Sequence, residues 1–394
     1  MAMRVTTGMA MNLYRYNLQN STVALANSRD KVISQRRFDS FAESPTTAIQ
    51  AWRIRRAMTN NESYQRNTSD TISRFSIAWQ SMDKVVNALV DKDGSFSDIR
   101  AMNAATASGK VELGRVMNNT AESVIQVMNS AKYGDHFVFA GDDEMNAPFT
   151  WSQDGKTLLY RGIDVNTAPV DPPERDGNTP DWVPASGDHS LPTNMPKTGA
   201  DANEQAWIDY YNTDWARLDA LANEHEFVDL GMGLLEDEDG RLVTGTAFDR
   251  SLPGVKMLGY GLDEDGDPKN VVMVLKRLGE IFESCDPETG SLEGDNGRGE
   301  SLISEATRLM DKLKDSKEYC TRQYTTIDTN SHFLTENKER MEANEDYLQE
   351  ERANLEDLDP ADAITQFSWD YYCYSAALKV GTQLLSQSLI DYMN

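Results

Sequence analysis

Eight apolar or small residues recur at intervals of seven toward the C-terminal end of the chain: Ala306, Leu313, Cys320, Ile327, Leu334, Met341, Leu348 and Leu355. No proline interrupts the stretch from Ser301 to Asp359, so the spacing predicts one helix, about 85 Å long at 1.5 Å rise per residue. The alternate heptad positions after the first turns, Ser316, Gln323, Asn330, Asn337, Asn344 and Glu351, are polar. The apolar seam is therefore narrow, and other helices have to complete it.

Candidates lie at the opposite end. Met11, Leu18, Leu25 and Val32 are also seven apart, with Tyr14, Ser21 and Ser28 between them, which predicts a slender amphipathic helix of low independent stability. After a break around Ser40 to Pro45, Ile72, Phe75, Trp79, Met82, Val86 and Leu89 alternate three and four apart, a full seam on a second helix. Asp93-Gly94 marks a turn, and Leu113, Met117, Thr120, Val124 and Val127 carry the pattern into a third helix that ends before Gly134. The last element, Pro360 to Met393, starts on a proline suited to a first helical turn and holds Ile364, Phe367, Tyr371, Tyr374, Leu378, Gly381 and Leu385 in register.

From His136 onward the pattern changes. Eleven of the thirteen prolines fall between Pro148 and Pro287, which excludes long helices there. Phe137-Val-Phe139 reads as a short strand, and Thr150-Trp151 and Thr157-Leu-Leu-Tyr160 flank Asp154-Gly155, a hairpin turn pair; Asp239-Gly240 offers a second. The tract from Asp171 to Thr198 is predicted to be a long surface loop. Two helices are expected inside the region, one around Glu204 to Ala222 and one from Pro268 to Phe282 with Val272, Leu275, Leu278 and Phe282 on a single face. The expected architecture is mainly α: a long-helix bundle or coiled coil built from both chain ends, with an inserted β-rich projecting domain. The boundaries fall at residues 1–135, 136–300 and 301–394.

Charge follows the same division. Residues 1–135 hold 17 Lys and Arg against 12 Asp and Glu, residues 136–300 hold 12 against 34, and residues 301–394 hold 9 against 18, within a chain of formal net charge -26. A mildly basic N-terminal arm and an acidic C-terminal arm suit helices that pack on each other, while the acidic middle suits exposure to solvent. Nucleic acid is disfavoured as a partner because no basic stripe is present to neutralise phosphates. No run approaches the roughly 18 apolar residues of a membrane span, and the first residues lack the pattern of a cleavable secretory signal.

No catalytic constellation assembles from the sequence, so no enzymatic role, cofactor or metal is expected. The four histidines, His136, His189, His225 and His332, are scattered. Cys285, Cys320 and Cys373 are far apart and odd in number, which argues against a disulfide framework or a zinc site. Asp263, Asp265 and Asp267 alternate like the first ligands of a calcium loop, but Gly266 is misplaced and Val274 stands where the closing Glu belongs, so an acidic turn is the better reading. Trp182, Trp207, Tyr210, Tyr211 and Trp215 could serve a glycan- or cation-binding module carried on a structural stalk, although a helix core explains Trp207, Tyr211 and Trp215 as well.

The terminal segments carry a resemblance. Met3-Arg-Val-Thr-Thr-Gly-Met9, Asn17-Leu-Gln-Asn20, Ala48-Ile-Gln-Ala-Trp-Arg-Ile-Arg55 and Tyr64-Gln-Arg-Asn67 resemble the N-terminal region of the flagellin superfamily. Phe367-Ser-Trp-Asp-Tyr-Tyr-Cys-Tyr-Ser-Ala-Ala-Leu-Lys-Val-Gly381 and Leu384-Leu-Ser-Gln-Ser-Leu-Ile390 resemble its C-terminal region, and Phe137-Val-Phe-Ala-Gly141 its exit into the variable domain. Within the superfamily the termini look most like those of hook-associated proteins at the hook-filament junction, with flagellin itself as the alternative. Two segments depart from the pattern: Ser34-Gln35-Arg36-Arg37 lacks the usual glycine before the basic pair, and Ala42-Glu-Ser-Pro45 replaces an Ser-Asp-Asp-Pro segment.

The resemblance implies a non-enzymatic subunit of the bacterial flagellum, exported through the type III channel without a cleavable signal and assembled in a tubular ring. Its implied partners are copies of itself, the hook-side junction protein, flagellin and an export chaperone. It also implies that Met11, Leu18, Leu25 and Val32, with Phe367, Tyr371, Tyr374, Leu378, Gly381 and Leu385, form the assembly interface. Beneath them, Ile72, Phe75, Trp79, Met82, Val86 and Leu89 and the long helix's Leu313, Ile327, Leu334, Met341, Leu348 and Leu355 are expected to form the rod core.

Overall fold

The structure is a computed structural model and describes residues 7–38, 42–89, 107–143, 145–175, 177–236, 242–243, 245–286 and 288–393. The first six residues, Ser40, and the turns expected at Asp93-Gly94 and Asp239-Gly240 lie outside the described residues. The chain is mainly helical, with small antiparallel sheets between the helical ends. It divides into two compact units, Met1–Ser63 with Arg340–Asn394, and Tyr64–Glu339.

The first unit contains α1 (Thr7–Ser34), the start of α2 (Pro45–Leu89), the end of α8 (Leu302–Glu356) and α9 (Pro360–Met393). At 55 residues α8 is about 82 Å long, in keeping with its uninterrupted heptads. The chain leaves α1 through Gln35, whose φ of 55° is left-handed, the conformation that the family's usual glycine takes without strain. The turn is held from the other arm. Leu358 N donates to Gln35 O at 2.9 Å, Arg37 N donates to Glu356 O at 2.8 Å, and Arg36 bridges Asp357. Glu356, nearly buried, also takes a two-pronged ion pair from Arg55 at 2.8 and 2.6 Å. One turn further into α2, Asn61 Nδ2 donates to Met341 O at 2.9 Å and accepts from Asn344 Nδ2 at 3.1 Å, so polar heptad positions are paired rather than idle.

In the second unit, the buried row of α2 is Thr68, Thr71, Phe75, Ala78, Met82, Val85 and Leu89, spaced alternately three and four. Phe75, Met82 and Leu89 lie in it as the sequence pattern has them. Ile72, Trp79 and Val86 stand one residue past its other rank and are half-buried. Small Thr71 and Ala78 line the seam, while the bulkier neighbours cover its flank; the Trp79 ring lies 5.6 Å from that of Tyr324. Along α8, Ala306, Leu313, Cys320, Ile327, Leu334, Met341 and Leu348 are buried and Leu355 is half-buried.

The third helix, α3 (Ala107–Ser130), packs against α7 (Val271–Glu283). Their axes come close because both contact points are glycine: a Cβ on Gly114 would sit 2.8 Å from Gly279 O. Asn270 caps α7, its Oδ1 accepting from Val272 N at 3.0 Å. After α3, β1 (Lys132–Tyr133) pairs with β2 (His136–Phe137), then β3 (Phe149–Trp151), β4 (Leu158–Tyr160) and β5 (Ile163–Asp164) form a three-stranded antiparallel sheet. Phe149 pairs Tyr160 and Trp151 pairs Leu158, around the turn at Gly155 whose φ is 67°.

The single helix expected around Glu204 to Ala222 is two, α4 (Ala202–Tyr211) and α5 (Asp214–Ala222). Thr213 separates them because its hydroxyl accepts from Ala216 N at 3.2 Å and starts a new helix. β6 (Phe227–Val228) pairs β7 (Phe248–Asp249), an association of distant segments with no local turn signal, and the short α6 (Gly254–Leu258) leads back toward α7. Between Glu236 and Leu242 a bridge closes the second expected hairpin.

Candidate assembly surface

Helices α1 and α9 pack along each other within the first unit. On α1 the half-buried stripe is Met11, Tyr14, Leu18, Ser21, Leu25 and Val32, with Ser28 buried among them. On α9 the covered face is Ala363, Phe367, Asp370, Tyr374, Ala377 and Gly381. Gly381 is buried beneath the Tyr14 ring: a Cβ there would fall 2.0 Å from the Tyr14 hydroxyl oxygen and 2.3 Å from Cζ. The absence of a side chain at 381 is what seats the tyrosine.

The α9 residues singled out by heptad spacing therefore separate onto two faces. Phe367, Tyr374 and Gly381 share the covered face, whereas Ile364, Tyr371 and Leu378, also seven apart, are 54, 59 and 41 % exposed. The Leu385 side chain lies outside those described. Ile364, Tyr371 and Leu378 are turned about 80° around the helix from the covered row, at 100° per residue. Trp369, Tyr372 and Val380, outside the heptad, are exposed as well, with Trp369 and Tyr372 stacked at 6.3 Å. On α1, Met9, Leu13, Tyr16 and Val23 are exposed on the side opposite Tyr14.

Sequence reasoning missed these second faces, although a signal was present. Trp369, Tyr372 and Val380 fit no single heptad stripe, and a helix apolar on all sides is one that is covered on all sides. A contiguous exposed apolar surface of this kind marks an interaction site. Its chemistry is that of packing: the described faces offer aromatic and aliphatic side chains, with Lys379 and Asp370 as nearby charges.

The acidic turn at Asp263, Asp265 and Asp267 is organised differently. Their carboxylate oxygens lie within 4.8 Å of one another, and the Lys312 ammonium reaches all three, at 2.5, 2.9 and 2.7 Å. Arg308 adds a fork onto Asp267 at 2.7 and 3.1 Å. Burial pushes the Asp263 and Asp267 carboxyls up, but the hydrogen bonds, from Lys312 to Asp263 and from Arg308 and Lys312 to Asp267, outweigh it and hold both below the usual carboxylate range. The protein's own lysine takes the place of a cation there.

The aromatic group of the middle region is internal. Trp207 and Tyr211 are buried against Val183 and Ala216, with Trp182 and Tyr210 packed around them, and Trp215 lies against Tyr260 with ring centroids 5.7 Å apart. No helix among the described residues is long and apolar enough to cross a membrane.

Neither a family model nor a curated protein matches the chain. Among solved structures it is similar to a "putative flagellar hook-associated protein" from Vibrio parahaemolyticus, at 13 % identity over 80 % of this chain and 100 % of that one, with a TM-score of 0.47.

Proposed function

We propose that this chain is a structural subunit of the bacterial flagellum that forms the junction between hook and filament. The observation that carries the reading is the exposed apolar row Ile364, Tyr371 and Leu378 on a helix whose other face is already occupied by α1. A protein that keeps such a row on a terminal helix pair is built to be covered by neighbours. Full burial of each apolar side chain contributes about 1.5–3 kcal/mol, so a closed ring of subunits gains where the isolated chain cannot. The resemblance of both chain ends to the flagellin superfamily supplies the identity of those neighbours: copies of the same chain around the ring, the hook-side junction protein on one side and flagellin on the other. The same resemblance supplies export through the type III channel, assisted by a chaperone that shields the apolar ends before assembly.

In this reading Met11, Leu18, Leu25 and Val32 with Phe367, Tyr374 and Gly381 hold α1 and α9 together, and Ile364, Tyr371 and Leu378, continued by Leu385, meet adjacent subunits. The acidic region from 136 to 300 projects outward, and the long helix transmits load as a rod. Deleting the gene tests the reading. Cells are expected to build hooks, to lack attached filaments and to release flagellin into the medium. Deletion cells that keep filaments on their hooks would refute it, and loss of the hooks themselves would place the protein earlier in assembly. A filament-subunit role would instead leave hooks capped by junction proteins with no flagellin made.

A further inference from the structure

A second surface in the Tyr64–Glu339 unit has the chemistry of a ligand site and no part in assembly. A half-open cleft of about 200 Å³ lies where the β3–β4 turn, the segment after β5 and the start of α7 converge. Drug-sized pockets run to roughly 300–1,000 Å³, so this one has room for a single ring. Its walls are cationic. Lys156, Lys276, Arg277 and Arg298 all line it, four of the 12 basic residues found between positions 136 and 300, in the most acidic part of the chain.

The acidic groups near these cations are already engaged. Glu305, almost fully buried, holds Arg277 through two hydrogen bonds at 2.8 and 3.0 Å, and Asp267 is neutralised by Arg308 and Lys312. Arg298 is fixed by donating to Asp265 O at 3.0 Å and Gly266 O at 3.1 Å, over a glycine whose Cβ would strike the guanidinium. Among the described residues Lys156 and Lys276 make no ion pair within 4.0 Å, so the cleft keeps a surplus of positive charge.

Two further features select the ligand. Asn166 Oδ1 lines the cleft, is buried, and accepts no hydrogen bond, an acceptor awaiting a donor from outside the chain. Leu262, Pro268 and Met273 supply an apolar wall, and Trp151 lies under the Lys276 ammonium at 5.8 Å from its ring centre. A simple anion would satisfy the lysines but leave Asn166 Oδ1 and the apolar wall unused; a neutral sugar would leave the lysines unused.

We propose that this cleft binds a hydroxylated carboxylic acid of single-ring size, the class represented by the uronic acids of acidic polysaccharides. The carboxylate would sit between Lys156 and Lys276, a ring hydroxyl would donate to Asn166 Oδ1, and the ring's apolar face would lie on Met273 and Leu262. The site is independent of the junction role and its test does not depend on flagellar assembly.

The full-length chain would be titrated with D-glucuronic acid, glucose and inorganic phosphate, followed by ligand-observed NMR. Glucuronic acid is expected to bind with a low-millimolar Kd, and glucose at least about tenfold more weakly. Lys156→Gln combined with Lys276→Gln should weaken glucuronic acid by at least about tenfold while leaving the melting temperature of the chain unchanged. Asn166→Asp, which keeps the volume and places a carboxylate at the acceptor, is expected to abolish binding, and serves if the double variant fails to fold. Absence of binding, glucose binding as well as glucuronic acid, phosphate binding alone, or wild-type affinity in the lysine variant would each overturn the proposal.

Discussion

Tyr371 separates folding from assembly more cleanly than any other residue of the exposed row. It is 59 % exposed. A tyrosine buries about 150–250 Å² when fully covered. About 90–150 Å² therefore remains to be covered by a neighbour, and at about 25 cal/mol per Å² this stabilises an assembled contact by about 2–4 kcal/mol. Tyr371→Asp removes that gain and puts an unpaired carboxylate into a surface that loses water only on assembly, at a further cost of about 1–3 kcal/mol. The isolated chain has much less at stake. Its loss is the stacking with Phe367, with ring centroids 6.5 Å apart, worth about 0.5–1.5 kcal/mol, and a small change in helix propensity. The variant should melt within a few degrees of wild type, be exported, and fail to retain filament, because about 4 kcal/mol per contact weakens association roughly a thousandfold. Tyr371→Phe, which keeps the ring, should assemble normally. The assays are thermal unfolding of the purified chain and immunoblotting for flagellin in the medium. A Tyr371→Asp strain that swims with attached filaments would show that this face is not the assembly surface. Unfolding of the purified variant would show instead that Tyr371 belongs to an intramolecular core.

Three other perturbations test the framework behind the surface. Gly114→Ala places a Cβ 2.8 Å from Gly279 O and 3.0 Å from Glu283 N, both backbone atoms, so α3 and α7 must separate; overpacking of about 1–3 kcal/mol against about 1 kcal/mol of helix propensity leaves a net loss near 1 kcal/mol in chemical denaturation. Gly279→Ala meets only the movable Asn118 side chain, at 2.6 to 2.9 Å, and should be milder; equal losses would contradict the close-approach argument. Gln35→Gly should stabilise the chain by about 1 kcal/mol, since the residue already sits at φ 55°, and a loss on the same measurement would mean that the Gln35 side chain matters more than its backbone strain. Lys312→Met should destabilise the Tyr64–Glu339 unit by about 2 kcal/mol at neutral pH, allowing for partial exposure of the cluster. Asp263 and Asp267 titrate below their unfolded values, so their contribution is present above about pH 4 and is lost as pH falls through the lower folded values; the difference between wild type and Lys312→Met should therefore shrink in acid, and a constant difference down to pH 2 would refute the assignment.

The helical frame was legible because its signals are local and repeated. Proline-free heptads from Ala306 onward fix α8, Pro360 starts α9 where expected, and the prolines between 148 and 287 confine the middle to short elements. What escaped the sequence depends on distance. The β6–β7 pair joins segments about twenty residues apart through backbone bonds with no turn signature, and the break at Thr213 is a hydroxyl choosing to cap rather than continue a helix. In α2, periodicity gave the face but not which of two adjacent ranks is central, because Ile72, Trp79 and Val86 and the smaller Thr71, Ala78 and Val85 differ by a single position and only packing from several sides decides between them.

The same limit governs the two candidate sites. A heptad reading of α9 assigns one stripe to one partner, so it placed Phe367 and Tyr371 together, whereas the structure gives Phe367 to the α1 side and leaves Tyr371 exposed. Only when α1 occupies one face does the apolar remainder of α9 become informative, since those residues are then in excess of what the isolated chain can cover. The cationic cleft is still less local. Lys156 is on a hairpin turn, Asn166 follows a strand, Lys276 is on α7 and Arg298 precedes α8, each unremarkable beside its own neighbours. Net charge averages such a site away, because a segment with 34 acidic and 12 basic residues reads as uniformly acidic until folding brings a third of its basic residues into one cavity.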